Sequence, residues 1–188
     1  MEVKIKTPDK FTYADYEKWD DDTRWEIIDG EAYMMASPGV SHQRIIGRMF
    51  RKIADFLEGK PCEVFISPFD VRLNHDKADN IIVQPDLLVI CDREKIANGK
   101  NCEGAPDMVV EVLSESSRSM DFVKKFNNYL IYGVKEYWII DPNEKILHAH
   151  TLHQGQGQYF THVFGEEDTA PVRILDGLEI VLSDIFRN

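Results

Sequence analysis

Cysteine is scarce in this chain. Cys62, Cys91 and Cys102 are odd in number, far apart and contain no C-x-x-C pair. That argues for reduced thiols in a cytoplasm and against a disulfide framework or a cysteine zinc site. Positive charge is also short: 22 Lys and Arg stand against 33 Asp and Glu, a net charge of −11. Proteins that live on phosphate contacts are usually basic, so tight, non-specific nucleic-acid binding is disfavoured. Two considerations soften the objection. A carboxylate metal site is itself acidic, and fields are screened within about 10 Å at ordinary salt. Long hydrophobic runs are missing as well. The most apolar stretch, Ile81 to Cys91, is interrupted by Gln84, Pro85 and Asp86, so no membrane span is expected. Met1 to Lys10 has no apolar run, so no secretory signal is expected and the location follows as cytoplasmic. There is no phosphate-cradling glycine loop, Gly-x-Ser-x-Gly elbow or cysteine nucleophile signature. The common nucleotide-hydrolase and acyl-transfer classes are thereby excluded, and no nucleotide cofactor is expected.

What remains is a chain of ordinary apolar content, 188 residues long, enough for one domain over residues 1–188 with a real core. Phe11 to Trp19 reads as a short helix with Thr12 as N-cap. Trp25 to Ile28 and Glu31 to Met35 form a hairpin across Asp29-Gly30. Ser41 can cap a helix to about Leu57, with Ile46, Phe50, Ile53 and Leu57 as its buried stripe. Strands follow at Cys62 to Ile66 and Phe69 to Leu73, broken by Ser67-Pro68, and at Leu87 to Ile90 after Pro85-Asp86. Arg93 to Glu103 reads as a surface excursion, and Asp107 to Leu113 is the most strand-like run. Ser117 or Ser119 can cap a helix to Tyr132, which Gly133 ends. Glu136 to Ile140, Ile146 to Leu152, Tyr159 to Phe164 and Leu178 to Leu182 are further strands, and Ser183 can cap a final turn. The order predicts an α+β fold with an α/β-type core: a mixed sheet flanked by helices.

The chemistry-bearing residues form a split constellation. Asp86 follows a proline at an irregular strand end; alone it is an ordinary turn aspartate. Glu111 is more telling, because it is an ionisable group inside a hydrophobic strand and must be paired, hydrated or metal-bound. Lys125 lies on the following helix, where Asp121, Lys125 and Tyr129 at i, i+4, i+8 share a face. That is either a solvated ion pair with an aromatic rim or a lysine reaching back to the two acids. Glu26 sits in an apolar strand, as a third acid or a partner for a cation. His42 opens the second helix, either as a capping residue or as a substrate contact. Arg44, Arg48, Arg51 and Lys52 make a basic stripe on that helix, an ordinary solvated face or a track for a phosphate backbone. His148, His150 and His153 lack an acidic or cysteine partner at zinc-ligand spacing. Two carboxylates and an amine are what a magnesium-dependent phosphodiester hydrolase needs: acidic oxygens for a hard cation and an ammonium beside a polyanion.

Five segments in order resemble a known family: Trp25-Glu26-Ile27-Ile28-Asp29-Gly30, Ser41-His42, Gln84-Pro85-Asp86, Gly104 to Ser114 and Gly133 to Pro142. They are similar to the Uma2 family, assigned to the restriction-endonuclease-like PD-(D/E)XK nucleases. The resemblance implies a restriction-endonuclease-like mixed sheet with flanking helices. It also implies Mg²⁺ or Mn²⁺ held by Asp86 and Glu111, helped by the carbonyl of Val112. In the superfamily pattern a lysine follows the acid by two residues; here that place is Leu113. Lys125 would be the migrated lysine, as the family's Asp-x-x-x-Lys-x-x-x-Tyr helix implies. Where the family often has proline after the first serine of the post-strand turn, this chain has Glu115.

The expected function is a metal-dependent endonuclease acting on DNA. Asp86, Glu111, Lys125 and Glu26 form the catalytic set, with Lys125 orienting or deprotonating water and Glu26 holding Lys125 or a second ion. His42, Tyr129, Arg44 and Arg48 are the expected substrate contacts. The rival is a binding or regulatory module that keeps the fold without catalysis, supported by the negative charge and the displaced lysine. A hydrolase of small phosphoesters is the third class. Apolar C-terminal strands and basic helices would suit a homodimer.

Overall fold

The computed structural model describes residues 10–20, 22–114, 118–153 and 155–187. Glu115 and Ser117 lie outside the described residues. The sequence expectation of a mixed α+β fold holds, with one refinement: the strands divide between two principal sheets. β1 (Trp25–Ile28) and β2 (Glu31–Met34) pair as the expected hairpin. Its corner, Asp29-Gly30, has positive φ at both residues, 55° and 82°, as a tight right-twisting hairpin requires. A Cβ on Gly30 would also meet Lys10 Cβ at 2.6 Å, so glycine is required twice over.

The hairpin belongs to a five-stranded sheet in the order β2-β1-β5-β4-β7, completed by β4 (Val71–Arg72), β5 (Ile82–Val83) and β7 (Cys102–Glu103). A six-stranded sheet runs β11-β10-β9-β8-β6-β3. Its strands are β3 (Glu63–Ile66), β6 (Leu87–Ile90), β8 (Met108–Val112), β9 (Glu136–Asp141), β10 (Ile146–His153) and β11 (Gln158–Phe164). Only β8 and β9 pair in parallel within it; such a pair needs a long crossover, here the helical segment between them. The prolines explain the division. Between β3 and β4 the chain leaves the larger sheet at Ser67-Pro68, a cis peptide. Between β5 and β6 it returns through Gln84-Pro85-Asp86. A proline cannot donate to a ladder, so both sit where pairing stops.

α1 is a single turn, Tyr13–Tyr16, shorter than expected, with Thr12 N and Oγ1 both donating to Asp15 Oδ2 at 3.0 and 2.8 Å. α2 (Val40–Leu57) begins after Gly39 rather than at Ser41. It buries Ile45, Ile46, Met49, Ile53 and Leu57 on one side of the larger sheet. Phe50 only packs at the margin, because Met49 takes the central place. β6 and β8 are buried on both faces. Leu87, Val89 and Val110 meet α2, while Leu88, Ile90 and Val109 meet the smaller sheet and the crossover helix. Each such side chain contributes roughly 1.5–3 kcal/mol on leaving water. A two-stranded ribbon, β12 (Thr169–Pro171) with β13 (Glu179–Val181), leads into α4 (Leu182–Phe186) beside α2.

The expectation of three reduced thiols is corrected. Cys62 and Cys91 form a disulfide. They are 29 residues apart in sequence, but Glu63 faces Ile90 across the β3–β6 ladder, so the next pair outward brings the two cysteines together. Cys102 is the free thiol, buried, and burial pushes it up to about 12. No helix among the described residues is long and apolar enough to cross a membrane.

Candidate functional site

The corner where the chain re-enters the larger sheet puts the first acid in place. Leu87 faces Val110 across the antiparallel β6–β8 ladder, so Asp86 stands one step beyond, level with Glu111. Asp86 Oδ2 accepts from the Val112 N–H at 2.8 Å and lies 3.0 Å from His42 Nε2. Glu111 is 4% exposed, and its Oε1 accepts from Lys125 Nζ at 3.0 Å and from the Tyr129 hydroxyl at 3.1 Å.

The lysine arrives from an unusual element. Met120–Lys125 is a π-helical turn that continues into α3 (Phe126–Tyr132), closed by Gly133 at φ 83°. Such widened turns are rare and frequently lie at functional sites. The expected common face of Asp121, Lys125 and Tyr129 is present: all three are buried and turned to the acids. Lys125 Nζ lies 2.9 Å from Glu26 Oε1, 3.0 Å from Glu111 Oε1 and 3.5 Å from Asp121 Oδ1. Glu26 Oε1 also accepts from the Gln84 N–H at 2.8 Å, tying the smaller sheet to the Gln84–Asp86 corner. The neighbouring Lys124 binds the same hairpin from outside, through Tyr33 and Glu31.

Electrostatics follow from the count. Three carboxylates, of Glu26, Glu111 and Asp121, share one ammonium inside a low-dielectric site, and Asp86 adds a fourth negative charge beside Glu111. Burial pushes Lys125 towards neutrality, but Glu111, Glu26 and Asp121 outweigh it and hold the ammonium well above its usual range. Glu111 is raised well above the ordinary carboxylate value by burial first; Lys125 opposes, while Asp121, Asp86 and Glu26 add to the rise. The two shifts describe one cluster: the acids hold the ammonium in its charged form, and their crowding disfavours the charged form of Glu111. Burial, then Glu111, also raises the Tyr129 phenol, so its O–H remains a donor.

Two substrate-contact expectations, Tyr129 and Arg48, change, and so does the reading of Lys52 in the basic stripe. Tyr129 is fully buried and serves Glu111 instead of meeting a substrate. Arg48 Nη1 donates to the Ile185 carbonyl at 2.9 Å and also to that of Arg187. Lys52 pairs with Asp184 at 2.8 Å. Half of the basic stripe therefore fastens α4 to α2, while Arg44 is exposed. Of the residues left out of the expected catalytic and substrate-contact sets, Asp121 carried a signal, its i,i+4 spacing to Lys125. Gln84 carried only its place as a polar residue in an apolar run. Its side chain is bracketed by Arg24, at 2.8 and 3.0 Å to Oε1, and by Asp70 at 2.8 Å from Nε2. His148 packs beside His150, whose Nδ1 meets Thr161 Oγ1 at 2.8 Å, in an aromatic layer with Phe126.

Asp86 and Glu111 are the residues that could hold a hard divalent cation. Among the described residues no three His, Cys, Asp or Glu side chains converge into a group that could hold a metal ion. Mg²⁺ does not require three, since it usually binds through one or two carboxylates and keeps several waters. Asp86 and Glu111 on neighbouring strands could supply those two, and a cation there would neutralise part of the buried acid.

The chain resembles known proteins at two levels. The pattern of the Uma2 family, described as "Putative restriction endonuclease", matches residues 13–183. A solved structure described as "a putative nuclease belonging to DUF820 from Anabaena variabilis ATCC 29413" superposes with a TM-score of 0.75. It is 20% identical, and the match covers 94% of this chain and 97% of that one, which establishes the shared fold. No match is found among curated proteins.

Proposed function

This chain belongs to the Uma2 family, and from that premise we propose that it is a Mg²⁺- or Mn²⁺-dependent endonuclease that hydrolyses DNA phosphodiester bonds. The observation that carries the reading is the buried acidic cluster organised around one ammonium, with Asp86 and Glu111 on adjacent strands. Asp86 and Glu111 would hold the cation through their carboxylate oxygens. When bound, the ion supplies Lewis-acid stabilisation and lowers the pKa of its water. Lys125 is a charged clamp: it fixes Glu26 and Glu111 and places a permanent positive charge near the anionic centre. Its firm hold on its proton favours orientation over proton abstraction. Gln84 and Tyr129 keep Glu26 and Glu111 in position. Arg44, exposed on the first turns of α2, is the proposed phosphate contact.

A second reading, a binding module without catalysis, is favoured by two observations. The net charge is −11, and Arg48 and Lys52 are spent on α4. One experiment separates the readings: cleavage of plasmid and single-stranded DNA with Mn²⁺, wild type against Asp86→Ala purified identically. Cleavage by the wild type alone supports the nuclease. Equal cleavage by both rejects Asp86 as a ligand, and silence from both with intact Mn²⁺ binding favours the module.

A further inference from the structure

Resting on the metal reading of Asp86 and Glu111, we infer that His42 is a positioning residue that sets the orientation of the Asp86 carboxylate for the cation. The topology brings the two together for a reason. α2 is fixed over the larger sheet by its buried stripe and runs directly into β3, which lies antiparallel to β6. The start of α2 therefore returns over the end of β3, where Ile66 pairs with Leu87, and His42 in the first helical turn reaches the residue just before β6. The contact is a built one. His42 and Asp86 side chains are only 12% and 17% exposed, and His42 Nε2 stands 3.0 Å from Oδ2. The Val112 N–H reaches the same oxygen at 2.8 Å.

Two donors converging on one carboxylate oxygen remove its freedom to rotate and direct the other oxygen, Oδ1, to a ligand. The tautomer is constrained as well. His42 Nδ1 is buried without a hydrogen-bond partner among the described residues, so a proton there would be an unsatisfied buried donor, whereas a proton on Nε2 is used. His42 thus donates to Asp86 through Nε2. Hydrogen bonds of this outer kind hold metal-ligating carboxylates in place, and their loss commonly weakens metal binding about 10–100-fold.

The test is Mn²⁺ affinity, measured by calorimetry or by the free-ion paramagnetic resonance signal, on the full chain without DNA. Wild type, His42→Ala and His42→Gln are compared, with thermal unfolding run on each. His42→Ala is expected to bind Mn²⁺ roughly 10–100-fold more weakly at an unfolding temperature close to wild type. His42→Gln, whose amide N–H can replace the Nε2 donor, is expected to recover most of the affinity. Equal affinity in wild type and His42→Ala would overturn the inference while leaving the metal site standing. So would a His42→Gln variant as weak as His42→Ala. If wild type itself binds no Mn²⁺, the metal reading fails, and the inference with it.

Discussion

Glu111 and Glu136 are both buried acids on neighbouring strands of one sheet, and they are stabilised in opposite ways. Glu136 faces the α2 side with no exposure. Its Oε1 accepts from Trp138 Nε1 at 2.7 Å and its Oε2 from the Ile174 N–H at 2.9 Å. Burial raises it, and the backbone donors of Ile174 and Arg173 oppose the rise. It is a fastener, pinning the 173–174 segment to the sheet with neutral donors. Glu111 faces the π-helical turn and is met by an ammonium, a phenol and three more acids. Hydrogen bonds from neutral groups would satisfy one carboxylate at lower cost, since buried ion pairs seldom repay their desolvation. Crowding acids together is a poor way to hold a chain and a good way to hold a cation. The difference separates the site from the scaffold.

The comparison breaks most visibly at Lys125. Lys125→Met would leave the buried acids without their counter-charge and is expected to cost about 3–5 kcal/mol, measured by urea unfolding. Pairing it with Glu111→Gln should return part of that loss, because the two residues touch. A cost below about 1 kcal/mol for the single variant would mean that the cluster is not held by the lysine. Glu136→Gln comes next. Its amide must turn its NH₂ towards the Trp138 indole N–H or the Ile174 N–H, both donors, for about 1–3 kcal/mol, with Mn²⁺ binding unchanged. A loss of Mn²⁺ affinity there would dissolve the distinction between fastener and site.

Much of the site was legible because burial makes charge informative. Glu111 in an apolar strand and Lys125 at helical spacing from Asp121 could be read from local periodicity alone. The elements around them were largely legible for the same reason, including the Asp29-Gly30 hairpin and the strands at Leu87–Ile90 and Met108–Val112. What stayed hidden depends on pairing between distant segments. The Cys62–Cys91 disulfide needs the β3–β6 register. The division into two sheets needs knowledge of which strand each proline hands over to which partner. Arg48 reads as a phosphate contact until α4 is placed against it, more than a hundred residues later in the chain. Tyr129 reads as a rim residue because a 3.6-residue period does not say which face is outermost in a helix covered by a second sheet.

The finest test of the comparison is pH, where the two glutamates can be separated by sign. In the folded chain Glu111 is raised well above 4.5. Between that ordinary value and the raised one, the folded state binds more protons than the unfolded state. Stability therefore falls as pH rises through this window and is fully present below it. Lys125, raised above its usual range, is protonated in both states throughout and does not reverse the slope. Glu136 is raised too, but contributes equally to wild type and to any Glu111 variant. Unfolding temperatures of metal-free protein from pH 5 to 8 should decline more steeply for wild type than for Glu111→Gln, which carries no titrating acid at that position. At pH 8 without metal the variant should be as stable as wild type or more so. Adding Mn²⁺ should then raise wild type and leave the variant little changed, because binding to the folded state alone stabilises in proportion to affinity. Parallel pH slopes would mean that Glu111 is as comfortably satisfied as Glu136, and that the crowding of acids is a structural feature rather than a poised cation site.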